Sequence, residues 1–215
     1  RVVVSIWGRS VEDYAVAADA LAKHAPAGTA SDPIVAVEIN LSCPNLAGKK
    51  MFAHDVGAAA DVITATAGLA YPRWAKLSPN TDALVAVAEA CAGAGADAVT
   101  LTNTLLGLVI DTDSRRPALG GGGGGVSGPG LGPIAVRAVW EVARAMPELP
   151  IVGVGGVHDA NSALQLLMAG ASAVQVGTAN FADPRATIRV LDELASWCDS
   201  HGVATIAELI GAAHP

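Results

Sequence analysis

The chain has 215 residues, of which 52% are hydrophobic, 15% charged and 4% aromatic, and it carries a formal net charge of −7. Average chains are about 45–50% apolar and about 25% charged, so this composition reads as an alanine- and valine-rich α/β protein with much buried surface. The acidic balance excludes a general nucleic-acid binder, which carries a basic surplus, and no run of 18 or more uninterrupted apolar residues offers a membrane span.

Residue 1 is Arg, and the chain opens directly into an apolar run, Val2–Ile6. A sequence that begins inside a strand is expected to be the C-terminal portion of a longer chain. Helical periodicity follows over Val11–His24. A second strand, Ile34–Leu41, is nearly continuous in apolar residues and ends in Asn40-Leu41-Ser42-Cys43-Pro44-Asn45. A buried strand that stops in such a cluster delivers polar side chains to a mouth. Each carboxamide both donates and accepts, which suits a planar ligand whose edge alternates N–H and C=O. The thiol, as thiolate, can take a proton or attack carbon; taken alone it also fits a buried structural cysteine.

Further along, strands are predicted at Arg73–Leu77, Ala98–Thr102, Ile151–Val154 and Ala173–Val176. Helices are predicted at Val56–Ala67, Thr81–Ala92, Pro133–Ala145, Asp159–Ala169 and Pro184–His201. Asp159 is placed as an N-cap, and Gly93, Gly170 and Gly202 as helix stops. Short, almost wholly apolar strands are those of a sheet covered on both faces. Six βα units of roughly 30 residues suggest a parallel sheet or barrel. The fold class expected is a (β/α)8 barrel, which needs eight strands and about 250 residues. The chain therefore reads as a single barrel domain over residues 1–215 with its first two βα units missing.

The polar residues recur at successive strand ends: Asn40, Ser42 and Cys43; Lys76, Ser78 and Asn80; Asn103 and Thr104; Gly155 and Gly156; Gly177 and Thr178. That is the rim on which barrel enzymes keep their chemistry. Lys76 interrupts the run Trp74–Leu77, and a buried ammonium needs a partner: an anionic or electron-rich ligand, or Glu38 on the adjacent strand. The two glycine groups, each followed by a helix, allow close backbone approach to an anion and together point to a phosphate site. The run Gly120–Gly125, continuing through Val126-Ser127-Gly128, is read as a rim loop. In that reading Ser127 and Gly128 lie near a ligand and the polyglycine is a flexible spacer without chemistry of its own.

Cys43, Cys91 and Cys198 lack metal-ligand spacing and imply a reducing compartment, so a cytoplasmic protein is expected. Cys91 and Cys198 fall in helical patterns and read as structural. His54 and His158 fall at helix starts and read as surface or capping residues.

In this order, the segments Asn-Leu-Ser-Cys-Pro-Asn (40–45), Lys-Leu-Ser-Pro-Asn (76–80), Thr-Asn-Thr-Leu (102–105), Ser-Gly-Pro (127–129), Gly-Val-Gly-Gly-Val (153–157) and residues 169–181 closely resemble the dihydroorotate dehydrogenases. The resemblance runs from Val2 to Leu194 and is to class 1, in which cysteine is the base; class 2 has serine where Cys43 stands. It implies an FMN-dependent barrel oxidising (S)-dihydroorotate to orotate in pyrimidine synthesis. Cys43 would take the C5 proton while hydride passes from C6 to flavin N5. Asn40, Asn45, Asn103 and Thr104 would hold the pyrimidine. FMN would be contacted by Asn40, Lys76, Gly128, Gly155, Gly156, Gly177 and Thr178, with Ser5 and Thr102 at further flavin positions.

Within class 1, Lys-Leu-Ser-Pro-Asn and residues 111–117 look more like class 1B. Its partner subunit carries FAD and an iron–sulfur cluster and passes electrons to NAD; class 1A, which uses fumarate, is the alternative. A homodimer or heterotetramer is the assembly expected of the whole protein, with neither nucleic acid nor membrane as partner. The other readings are a dihydropyrimidine dehydrogenase-like flavin domain and a non-catalytic barrel remnant. Departures from the family pattern are Ser5 where asparagine is usual, Gly130 where alanine is common, the glycine-rich stretches Ala25–Asp32 and Gly120–Gly125, and the absent first two units, without which this chain alone is expected to be inactive.

Overall fold

The computed structural model describes residues 1–25, 33–42 and 51–215. Cys43, Pro44 and Asn45 lie outside the described residues. Among the described residues, six parallel strands form one sheet: β1 (Val2–Ile6), β2 (Ile34–Asn40), β3 (Arg73–Lys76), β4 (Ala98–Leu101), and then, after an excursion on the rim, β9 (Ile151–Val154) and β10 (Ala173–Gln175). Their spatial order is β1-β2-β3-β4-β9-β10, so every neighbour in sequence is a neighbour in space. Helices cross between them: α1 (Val11–His24), α2 (Val56–Ala65), α3 (Leu84–Gly93), α4 (Gly132–Ala145), α5 (Ala160–Met168), the single turn α6 (Ala179–Ala182) and α7 (Ala186–His201). Among the described residues no helix is long and apolar enough to cross a membrane.

Strand pairing in parallel register fixes what each face carries, because side chains alternate along a strand. Ser5 lies opposite Glu38, Asn40 opposite Lys76, Lys76 opposite Thr100 and Gln175 opposite Val154. These residues share the inner, concave face. The alternate positions, Val37, Ile39 and Leu41 with Ala75, Leu77, Val99, Leu101 and Ile151, are buried in the main hydrophobic cluster with α2, α3 and α4. The core thus lies between sheet and helices, whereas the inner face carries an unusual number of polar groups for a barrel interior, which is ordinarily filled by branched apolar residues. Truncating a side chain such as Leu77, which is fully buried, would cost about 2–5 kcal/mol.

Local sequence explains the helix boundaries. Ser10 and Asp13 form a capping box at the start of α1, Asp55 caps α2 by accepting from the Ala58 amide, and Asp159 caps α5 in a box with Ser162. Gly202 ends α7 in the left-handed region. Helix α2 ends two residues before, and α7 starts two residues after, the expected positions, and both ends of α3 differ. Helix α3 begins at Leu84, because the Thr81 hydroxyl accepts from the Ala83 amide and holds the preceding residues in a turn. Its stop is Gly95, with φ +95°, where the Arg73 guanidinium bonds the Gly95 carbonyl; Gly93 is still helical.

The excursion after β4 is more ordered than a flexible spacer. Strands β5 (Leu105–Gly107) and β8 (Gly124–Val126) pair antiparallel, and between them β6 (Ile110–Asp111) pairs with β7 (Arg116–Pro117). The last two glycines of the run, Gly124 and Gly125, are therefore strand. They permit close packing: a Cβ on Gly124 would lie 2.5 Å from Leu119 Cδ1, and one on Gly125 would collide with the Thr104 side chain.

Candidate functional site

A cavity of about 410 Å³ opens where β3, β4, β9 and β10 end, within the size range of small-molecule sites. Lys76, Thr102, Asn103 and Thr104 line one side; Ser127, Gly128, Gly155, Gly156, Gly177 and Thr178 line the other. The structure therefore brings together nine of the residues that the sequence reading assigned to cofactor or substrate, and Lys-Leu-Ser and Gly-Val-Gly-Gly-Val meet across one space.

Asn40 sits at the margin of this group and is tied to it. Its Oδ1 accepts from Asn103 Nδ2 at 3.1 Å and from the Ser42 amide at 3.1 Å, and its carbonyl accepts from the Tyr14 hydroxyl at 2.6 Å. Asn103 Oδ1 in turn accepts from the Thr104 amide at 2.8 Å. The carboxamides of β2 and β4 are thus joined over the end of β3, with their plane set by backbone groups. Asn80 braces the same rim, donating to the Thr104 carbonyl at 2.9 Å and accepting from the Leu106 amide at 2.7 Å.

Lys76 pairs with Glu38, as the second reading of its position expected, and it also faces the cavity. Its Nζ lies 3.3 Å from Glu38 Oε1, and its side chain still lines the cavity. Glu38 is buried, 5% exposed, and also accepts from Gln175 Nε2 at 3.0 Å and Ser5 Oγ at 3.4 Å. Ser5 therefore points at Glu38 and is not part of the cavity wall. Thr102 is 2% exposed, and its Oγ1 has no hydrogen-bond partner among the described residues. A buried hydroxyl without a partner costs free energy, and this one belongs to a residue that lines the cavity, as a ligand contact would.

The glycines divide by cause. Gly156 has φ +80°, and a Cβ there would lie 2.6 Å from Gly132 Cα; Gly155 has φ +128°, with its hypothetical Cβ 2.9 Å from the Ala135 methyl. Both are required first by the close approach of this loop to α4. Gly177 has nothing within 4 Å of such a Cβ, so its small size leaves room in front of the backbone. At this end of the cavity Arg189 donates to Asp183 Oδ2 at 3.2 Å, to Glu193 Oε1 at 2.9 Å and to the His158 carbonyl at 3.2 Å. Those partners push its pKa up and hold both carboxyls below the ordinary range, with the Arg185 amide contributing most at Asp183. Arg189 was missed by the sequence reading; its one signal is the i, i+4 spacing to Glu193, which resembles any surface helix pair. His158 has Nδ1 2.7 Å from the Gly156 carbonyl and also lines the cavity.

Of the other two cysteines, Cys91 is fully buried and burial pushes its thiol up to about 12. It stays protonated at neutral pH, in keeping with a structural role.

A cavity at the C-terminal ends of a curled parallel sheet, with glycine loops after the last two strands, is the arrangement of (β/α)8-barrel enzymes. The family model for dihydroorotate dehydrogenase matches residues 1–197, and this chain belongs to that family of flavin-dependent oxidoreductases. It is 45% identical over 213 residues to "Dihydroorotate dehydrogenase B (NAD(+)), catalytic subunit" of Geobacter sulfurreducens, covering 98% of this chain and 67% of the relative. Proteins of the same name in Geobacter sp. strain M21 and Desulforamulus reducens are each 42% identical, with 67% and 68% of their lengths covered. The relatives' names, as catalytic subunits, imply a further subunit in those proteins. Among solved structures, the dihydroorotate dehydrogenase of Eimeria tenella in complex with ferulenol superposes with a TM-score of 0.74 at 22% identity, covering 95% of this chain and 58% of that one. This likeness shows the fold.

Proposed function

We propose that this chain is the FMN-binding catalytic part of a class 1B dihydroorotate dehydrogenase, oxidising (S)-dihydroorotate to orotate. The observation that carries the reading is the convergence of the Asn40–Asn103 pair, Lys76 and the unpartnered Thr102 hydroxyl on one cavity of a chain that belongs to this family.

The residues present fit FMN. Lys76 would set positive charge against the ring system, Thr102 would give its free hydroxyl to a ring heteroatom, and Gly128, Gly155, Gly156, Gly177 and Thr178 would surround the phosphate end. Bound FMN supplies a two-electron acceptor for the hydride that leaves C6. Cys43, as thiolate, would remove the C5 proton and become a thiol, so that loss of one proton and one hydride gives the ring double bond of orotate. Asn40 and Asn103 orient the ring: with Asn40 Oδ1 already accepting twice, its Nδ2 is the group left to donate to a substrate carbonyl. Thr104 and Asn45 complete the substrate contacts in this reading. Ser5 would act behind Glu38, out of reach of the cavity. Electrons would then pass to NAD through a second subunit carrying FAD and an iron–sulfur cluster.

The test uses the full-length protein. It should purify yellow and reduce an artificial acceptor with dihydroorotate, and Cys43→Ala should keep the flavin while losing turnover by a factor of about 10² to 10⁴, the range of a general base. Folded, colourless protein, or a variant with undiminished turnover, would overturn the assignment. NAD reduction that proceeds without any second subunit would remove the partner from the proposal.

A further inference from the structure

We propose that Glu38 is a positioning residue which, acting through Lys76, sets the reduction potential of the flavin; this rests on the FMN reading above. The argument starts from the inner face of the sheet. Glu38 is 5% exposed, yet it does not line the cavity. It stands one layer below, where three elements converge on its two oxygens: Lys76 Nζ at 3.3 Å and Ser5 Oγ at 3.4 Å on Oε1, and Gln175 Nε2 at 3.0 Å on Oε2. A buried carboxylate needs a cation and hydrogen bonds, and here each is supplied by a different strand. Lys76 and Gln175 both touch Glu38 and line the cavity, but of the two only Lys76 brings a charge to the site.

Two consequences follow for a ring bound over Lys76. A flexible ammonium on a four-carbon stem is fixed at one place by its carboxylate, so the charge met by the ring has a defined position. The same carboxylate offsets much of that charge, because opposite charges at this distance interact strongly outside bulk water. An unopposed Lys76 would favour the anionic reduced flavin more than the paired one does. The Glu38–Lys76 pair therefore holds the potential below the value that a bare lysine would give, leaving the reduced flavin able to pass its electrons on.

The experiment measures the FMN midpoint potential of full-length, flavin-loaded protein by equilibration with a reference dye. Glu38→Gln should raise the reduced-to-oxidised ratio about tenfold at a fixed reference potential, which is about 30 mV for a two-electron couple. Lys76→Met should lower the ratio, and adding Glu38→Gln to Lys76→Met should move it by less than in the wild-type background, since Glu38 then has no ammonium to act through. Glu38→Asp, which keeps a carboxylate but withdraws it from Nζ, serves if the Gln variant does not fold and should raise the ratio in the same direction. Gln175→Leu removes one hydrogen bond from Glu38 but keeps the Glu38–Lys76 pair, so it should move the ratio by less than Glu38→Gln does. An unchanged potential in both Glu38 variants, or an equal shift in the Lys76→Met background, would overturn the role of Glu38 while leaving the flavin assignment intact. Wild-type protein that binds no FMN would sink both.

Discussion

Gln175 Nε2 donates to Glu38 Oε2 at 3.0 Å although three strands separate β10 from β2 in the sheet. A flat sheet would hold these residues far apart, at nearly 5 Å per strand. The contact exists because the sheet curls, and it ties the two flanks of the curl together through its interior. Gln175→Leu removes one of the partners of a buried carboxylate and should destabilise the full-length protein by about 1.5–3 kcal/mol, the usual value of a hydrogen bond to a charged group. Chemical denaturation with a two-state fit checks this; a loss below about 0.5 kcal/mol, as for an ordinary surface site, would show that the curl does not lean on this contact.

Asn103 makes structural hydrogen bonds and also lines the cavity, so its proposed substrate contact can be tested separately from its bracing. Its Nδ2 holds Asn40 Oδ1, while its Oδ1 is held by the Thr104 amide. Asn103→Ala removes one of the two hydrogen bonds that hold Asn40 Oδ1 and one amide from the cavity wall. Loss of one or two substrate hydrogen bonds should lower kcat/KM for dihydroorotate by about 10- to 100-fold. The flavin absorbance should persist. A variant that loses its flavin instead would move Asn103 from the substrate group to the cofactor group.

The strand order and the rim were readable from Ile34–Leu41, Arg73–Leu77 and Ala98–Thr102, because a parallel sheet covered on both faces leaves almost uninterrupted apolar runs. The observed strands end within a residue of each. The inner-face network was only half readable. Lys76 stood out as a charge inside an apolar run, and Glu38 was its obvious neighbour, but Gln175 lies 137 residues further on and meets Glu38 only through the curl. Sequence spacing carries no signal for that contact. The glycine run misled for a related reason: composition marks Gly120–Gly125 as flexible, whereas pairing of β8 with β5 depends on Leu105 and Val126 finding each other in register. Arg189 was invisible because its role comes from the close approach of α7 to the end of β9.

The α5 cap gives a pH-dependent stability with a definite sign. Asp159 accepts from the Ser162 amide at 2.8 Å and from the Ser162 hydroxyl at 2.7 Å. Its pKa is lowered chiefly by that hydroxyl and then by the amide, with smaller help from His158 and Arg189. The folded state therefore holds this proton less tightly than the unfolded chain does. Stability from the cap is complete above the ordinary aspartate range and is lost as pH falls through the lowered value. Asp159→Ala should cost about 1 kcal/mol at neutral pH, and the gap between wild type and variant should narrow on acidification. Thermal melts of both proteins across that range check it; a gap that stays constant would mean that the carboxylate charge contributes nothing.

Gly156 and Gly177 look alike in sequence, each in a glycine loop after a strand, yet the structure gives them different constraints. A methyl group on Gly156 would strike the backbone of Gly132 at 2.6 Å, and the residue already has φ +80°. Neither can be relieved by turning a side chain, so Gly156→Ala must displace the start of α4 or the loop itself. It should cost at least about 1–3 kcal/mol and weaken FMN binding as a consequence of that displacement. Gly177→Ala meets nothing within 4 Å, so stability should be nearly unchanged. If the backbone at Gly177 approaches the phosphate, the new methyl group would still weaken FMN binding, by steric exclusion alone. Titration of FMN into the apoproteins, set beside their denaturation midpoints, separates the two cases. Full FMN affinity in Gly177→Ala would take Gly177 out of the phosphate site and leave that end of the cavity to the loop after β9.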